Sequence, residues 1–135
     1  MNDKKYFLAI DIGASSGRHI IGWNENGQIL TDEVFRFPNG NVTKDGHLTW
    51  DIDSLFENIV AGLSAAFAKY PTIESLAIDT WGVDYVLMKG DEELYPCHAY
   101  RDSRTEAVIP RVHGILPFAE LYGRTGVAFN TFNTI

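Results

Sequence analysis

The segment Asp11-Ile12-Gly13-Ala14-Ser15-Ser16-Gly17-Arg18 packs two glycines, two serines and two opposite charges between apolar runs. It limits what the N-terminal part of the chain can build. Tyr6 to Ile12 is almost continuously apolar and reads as a buried strand. Gly13 to Gly17 is a turn, and Arg18 to Trp23 resumes strand character with Ile20 and Ile21. Asn24-Glu25-Asn26-Gly27 follows, and Asn-Gly favours the positive φ that a tight hairpin requires. Ile29 to Phe37 supplies the next strand. The chain therefore opens with a three-stranded antiparallel meander.

Pro38-Asn39-Gly40-Asn41 ends that unit, and Lys44-Asp45-Gly46-His47 makes a further turn before Leu48-Thr49-Trp50. The period then changes. Ile52, Leu55, Phe56, Ile59, Val60, Leu63, Ala66, Phe67 and Tyr70 fall on one face of a helix. Asp53 or Ser54 is placed to cap it, with Glu57 completing a capping box from Ser54, and Pro71 ends it. Trp50-Asp51 reads as a core tryptophan ahead of that cap. Ile73 to Thr80 and Val83 to Met88 read as two further strands, the second followed by a turn at Lys89-Gly90-Asp91-Glu92. Thr105 to His113 reads as a short helix interrupted by Pro110. This order predicts an α/β fold whose sheet mixes antiparallel and parallel pairing.

The 135 residues fit one ordinary domain, and 45% hydrophobic content supports a real core. A net charge of −7 argues against a nucleic-acid binder that works by neutralising phosphates. The single cysteine, Cys97, excludes an intrachain disulfide framework. The first apolar run is too short for a membrane span and no small-residue cleavage site follows it, so the expected setting is cytoplasmic, with no membrane partner.

Two polar turns at strand ends can carry chemistry. In the first, glycines expose backbone N–H groups, Ser15 and Ser16 add hydroxyls, and Arg18 adds a fixed positive charge. Together these suit a phosphate. Asp11 would act there through a divalent cation. The spacing is that of neither a Walker loop nor a dinucleotide fingerprint, and the alternative is a tight hairpin with Asp11 capping local N–H groups and Arg18 on the surface. In the second turn, Asp79-Thr80-Trp81-Gly82-Val83-Asp84, an indole beside carboxylates and a glycine suits a sugar. The alternative is a strand connection with Trp81 in the core and Asp84 solvated. Tyr100-Arg101-Asp102-Ser103-Arg104-Thr105 offers Arg101 as a ligand group or as a structural ion-pair partner of Asp102 or Asp84. The four histidines are scattered, which argues against a zinc site.

With these three motifs in this order, and with Arg36-Phe37-Pro38-Asn39-Gly40, Thr49 to Leu55 and the final Phe-Asn-Thr segment, the chain resembles the FGGY carbohydrate kinase family over nearly its whole length. Within that family it is similar to the branch acting on L-rhamnulose. The resemblance implies the N-terminal part of a ribonuclease-H-like lobe of the actin/hexokinase/Hsp70 ATPase type, spanning 1–135. The rest of that lobe and a second lobe would lie beyond it. It implies ATP contacts at Ala14, Ser15, Ser16, Gly17 and Arg18, with Asp11 near Mg2+. It implies a sugar contact at Gly82, with Trp81, Asp84 and Arg101 near the sugar. The implied reaction is transfer of the ATP γ-phosphoryl group to the 1-hydroxyl of L-rhamnulose. The general-base aspartate is expected beyond Ile135 and the adenine pocket in the second lobe, so none of the residues present is expected to be catalytic. The abrupt ending at residues 129–135 fits an N-terminal piece that is inactive alone. A kinase for another deoxyketose such as L-fuculose, and a non-catalytic sugar- or nucleotide-binding module, are the alternatives.

Overall fold

A computed structural model describes residues 4–133 of the chain. Strands β1 (Tyr6–Ile12), β2 (Ser16–Glu25) and β3 (Gln28–Pro38) form the expected antiparallel meander. Asn26 and Gly27 both take positive φ, 54° and 82°, which is the backbone that an Asn-Gly hairpin turn supplies. A second hairpin joins β4 (Asn41–Lys44) to β5 (His47–Trp50), with Asp45 and Gly46 again at positive φ. Helix α1 (Ile52–Lys69) follows, then β6 (Ile73–Thr80), which pairs parallel with β1. The resulting mixed sheet has the order β3-β2-β1-β6. The α/β class, the opening meander and the mixed sheet match the sequence expectation.

The chain divides into two compact units, Met1–Gly40 with Asp51–Gly82, and Asn41–Trp50 with Val83–Ile135. In the first unit, Leu8, Ile10 and Ile12 of β1, Ile21 of β2, Phe37 of β3 and Ala66 of α1 form the buried cluster. Period-2 alternation sends His19 to the same face as Ile21. His19 is fully buried, edge-on to Phe35, and its Nε2 lies 3.1 Å from the carbonyl oxygen of Ile59. A carbonyl only accepts, so Nε2 carries the proton, and the buried Nδ1 has no partner among the described residues. The ring lies against Gly62 of α1, where an added Cβ would stand 2.1 Å from Cε1.

The second unit contains the β4–β5 hairpin with Cys97–Ala99 paired along β5. Trp50 donates its backbone N–H to Cys97 O at 2.8 Å, and Ala99 donates to Leu48 O at 2.9 Å. It also holds the short hairpin β7 (Met88–Lys89) and β8 (Glu92–Glu93), a 3-10 turn at Ser103–Thr105, and helices α2 (Ile109–Ile115) and α3 (Phe118–Thr125).

Four local expectations change. The α1 cap is Asp51, whose Oδ1 accepts from Ser54 N at 3.0 Å, two residues ahead of Asp53 and three ahead of Ser54, the caps expected. The strand expected over 83–88 shrinks to Met88–Lys89, which pairs with Glu92–Glu93, and Val83 at the start of the expected run takes a left-handed φ of 71°. Pro110 opens α2 rather than interrupting a helix from Thr105, since its missing N–H costs nothing in the first turn. α3 forms where the sequence reading assigns no helix. Thr134, which completes the final Phe-Asn-Thr segment, and Ile135 lie outside the described residues. Among the described residues no helix is long and apolar enough to cross a membrane.

Gly62→Ala reverses the usual gain from replacing a helical glycine. The added Cβ has to push into the His19 ring, and thermal or urea unfolding is expected to show a loss of about 1–3 kcal/mol. Burial lowers the His19 pKa from 6.5, outweighing the rise from its hydrogen bond to Ile59. A depressed folded pKa means that the unfolded chain binds this proton more readily. The stability His19 contributes is therefore present above about pH 6.5 and is lost as the pH falls. Melting curves between pH 8 and pH 5 on the wild type and His19→Leu check this; the difference between the two should change across that interval.

Candidate functional site

In the first unit, the β1–β2 turn is shaped by Asn39 at the end of β3. The side-chain Nδ2 of Asn39 donates to Gly13 O at 2.8 Å, and its backbone N–H donates to Ser15 O at 3.0 Å. Gly13 N–H closes the turn onto Ser16 O at 2.9 Å. The loop carbonyls are thus occupied from one side. Among the described residues, neither the Ala14 nor the Ser15 N–H has a protein acceptor. Ser15 is exposed, and Ala14 and Ser16 are half-buried. Donors without acceptors at a turn form an electropositive lip.

Asp11 and Arg18 are direct cross-strand neighbours in the β1–β2 ladder. The Nε and Nη2 of Arg18 approach Oδ2 of Asp11 at 2.8 and 2.7 Å. Both side chains are a little over 40% exposed, so the pair contributes little to stability and holds two charges at the lip. Gly17 lies below them. Its missing Cβ is where the Phe37 ring sits, 2.1 Å from the ideal position, so its smallness serves packing under the loop. A diphosphate with a divalent cation fits this donor set: backbone N–H groups, serine hydroxyls and a guanidinium for the anion, and one carboxylate for the metal.

Of the residues expected near a sugar, Trp81 and Gly82 fall in the first unit, and Asp84 and Arg101 in the second. Trp81 is half-buried and packs on the β1–β3 core cluster. At Gly82 an added Cβ would meet nothing within 4 Å, so the backbone there is open to close approach. Asp84 lines a cavity of about 490 Å³ in the second unit, together with Val83, Tyr100, Arg104, Val108 and Phe132. Arg101 is exposed and does not line that cavity; its guanidinium stacks 5.3 Å from the Tyr100 ring centroid.

Two further residues, hydrogen-bonded to groups that line this cavity, come from the structure. Trp50, 5% exposed, donates its indole N–H to Asp84 Oδ2 at 2.7 Å. Asp102, also 5% exposed, accepts from Leu48 N at 2.8 Å and from Arg104 N at 3.0 Å, and its Oδ1 lies 3.2 Å from His47 Nδ1. Burial alone would raise the Asp102 pKa, but the N–H groups of Leu48 and Arg104 and the His47 ring outweigh it and hold the carboxyl at about 2. Arg104 was visible in the sequence, in the same motif as Arg101. Nothing in the spacing says which of the two faces inward.

The depressed pKa fixes a sign. Asp102 contributes stability at pH values above its unfolded value near 3.8, and that contribution drains away as the pH falls toward 2. Asp102→Asn is expected to be markedly less stable than the wild type at pH 6, with the gap narrowing between pH 4 and pH 2. Urea unfolding across that range measures it.

Residues 6–135 match the family model described as the FGGY family of carbohydrate kinases, N-terminal domain. The rhamnulokinase of Lactiplantibacillus plantarum is 42% identical over 132 residues, covering 97% of this chain and 27% of its own length. That of Bacillus subtilis is 43% identical over 131 residues, covering 96% of this chain and 27% of its own. Among solved structures, gluconate kinase from Lactobacillus acidophilus superposes with a TM-score of 0.77 at 16% identity, over 96% of this chain and 26% of that one. Plasmodium falciparum glycerol kinase with ADP gives 0.68 at 16% identity, over 97% and 27%. At these identities the likeness is one of fold. The chain spans about 27% of the length of the curated relatives it matches.

Proposed function

Because the chain belongs to the FGGY family of carbohydrate kinases, we propose that it forms the N-terminal part of the first lobe of an ATP-dependent kinase acting on the 1-hydroxyl of L-rhamnulose. One observation carries the reading: the β1–β2 turn offers the Ala14 and Ser15 N–H groups and Arg18 at the end of an antiparallel hairpin, beside Asp11. In this reading Ala14, Ser15, Ser16, Gly17 and Arg18 hold the ATP phosphates, and Asp11 holds Mg2+ directly or through its water. Bound Mg-ATP supplies the transferable phosphoryl group. Arg18 contributes fixed positive charge where negative charge spreads during transfer.

The cavity beside Asp84 is the ketose pocket in this reading; Gly82 and Trp81 remain sugar contacts on the family resemblance alone, and Arg101, exposed and off the cavity wall, is not assigned to the pocket. The choice of L-rhamnulose rests on relatives at 42% and 43% identity that carry that activity in their names. In this reading the proton-accepting aspartate and the adenine pocket belong to the part of the relatives' length that these residues do not span. We place the whole enzyme in the cytoplasm.

Trp50, hydrogen-bonded to Asp84, is a built-in reporter. A saturable change in tryptophan fluorescence with L-rhamnulose and a weaker one with L-fuculose is the expected outcome; a flat response from a folded chain would sink the pocket assignment. For the phosphate loop, phosphorus NMR of Mg-ATP titrated with the chain should shift the β and γ resonances. Arg18→Gln should weaken that effect roughly tenfold, as expected for loss of a charge-assisted hydrogen bond. An unchanged titration would remove Arg18 from the phosphate site.

A further inference from the structure

Two arginines sit three residues apart in Tyr100–Thr105, and the structure gives them different surroundings. Arg101 is exposed and spends its guanidinium on the outer face of the Tyr100 ring. Arg104 lines the cavity of about 490 Å³ that also contains Asp84. Its side chain is 28% exposed. The buried Asp102 carboxylate caps the Ser103–Thr105 turn through Arg104 N, and the same Oδ1 lies 3.5 Å from Arg104 Nη1. Ala99 O stands 3.5 Å from the same Nη1. Both anchoring contacts thus fall on one terminal nitrogen. A guanidinium has five N–H donors in a planar fork, so one edge is held and the rest is available.

We propose that Arg104, not Arg101, is the cation that binds substrate oxygens in the second unit, with Asp84 as its hydroxyl-accepting counterpart on the same cavity wall. This rests on the reading of that cavity as the ketose pocket. A polyhydroxy ketone carries both kinds of partner, hydroxyl hydrogens for a carboxylate and hydroxyl or carbonyl oxygens for a guanidinium. The two charged groups each contact a buried residue, Asp84 the Trp50 indole N–H at 2.7 Å and Arg104 the Asp102 carboxylate at 3.5 Å. Pre-fixed donors and acceptors lose little freedom on binding, which is how a cavity of this size gains selectivity. The rest of the wall mixes valines with neutral polar side chains such as Thr105, Thr131 and Asn133, so Asp84 and Arg104 are the two charged groups that line it.

The test uses the wild-type chain first, so that folding of a variant is not at issue. Phenylglyoxal modifies arginines, and peptide mass spectrometry reports each site separately. With saturating L-rhamnulose, modification of Arg104 should slow several-fold while that of Arg101 is unchanged. In parallel, Arg104→Gln should weaken L-rhamnulose binding roughly tenfold or more, Arg104→Lys should recover part of it, and Arg101→Gln should leave it within about twofold. If L-rhamnulose binds by fluorescence but protects Arg101 instead, or if Arg104→Gln binds as well as Arg101→Gln, the inference is overturned and the pocket reading stands. If L-rhamnulose produces neither a fluorescence change nor any protection, the pocket reading falls and takes the inference with it.

Discussion

The closest steric fit between helix α1 and the sheet is the His19 ring in the space that Gly62 leaves open. Interiors are close-packed, so a ring seated where a helix lacks a Cβ fixes both the rotation and the axial position of that helix against β2. Phe35 and Phe37 flank the ring at centroid distances of 5.6 and 6.4 Å and complete the layer. Phe37 in turn occupies the space above Gly17. Strand alternation then links the buried face to the polar lip: inward-facing Gly17 and His19 bracket Arg18, which pairs with Asp11. Packing on one side of β2 therefore sets where the charge stands on the other. The fit also bears on the imidazole's charge: a second proton on Nδ1 would find no acceptor among the described residues, and burial lowers the ring's pKa.

The second unit is organised differently, around a charge. Asp102 ties the start of β5 to the Ser103–Thr105 turn through the N–H groups of Leu48 and Arg104. A buried carboxylate is tolerable only when its oxygens are satisfied. Here the donors come from segments more than fifty residues apart in sequence, so the same bonds that satisfy the carboxylate close the unit. Cys97, a neighbour of this network along β5, is buried, and burial raises its thiol pKa, which disfavours the thiolate.

What the sequence discloses here is what local chemistry controls. The meander, the Asn26-Gly27 turn and α1 follow from alternation, positive-φ residues and helical spacing, each written within a few positions. The polar turn from Asp11 to Arg18 was legible as an anion-binding candidate for the same reason. The Asp51 cap was missed by two residues because several capping residues stand in a row and only backbone direction chooses among them. The apolar stretch after Gly82 looks like a strand, but it starts at a left-handed Val83 and finds ladder partners only at Met88–Lys89. Pairs such as Trp50 with Asp84, and the choice between Arg101 and Arg104, depend on contacts 34 residues apart or on which way a three-residue turn points. No periodicity encodes them. His19 reads in the sequence as an ordinary polar member of β2, and its burial becomes intelligible only once Gly62 is opposite it.

Val83 has a consequence for how such a protein can change. A β-branched residue at φ 71° carries roughly 1–3 kcal/mol of backbone strain that a glycine would relieve. Yet Val83 also lines the cavity beside Asp84. A variant library selected only for heat resistance should drift toward glycine or asparagine at this position, giving up a wall of the cavity. One selected for ligand discrimination should hold the valine and recover the lost stability elsewhere. Durability and selectivity pull against each other at this one residue, and sorting the library both ways would reveal which of them has shaped it.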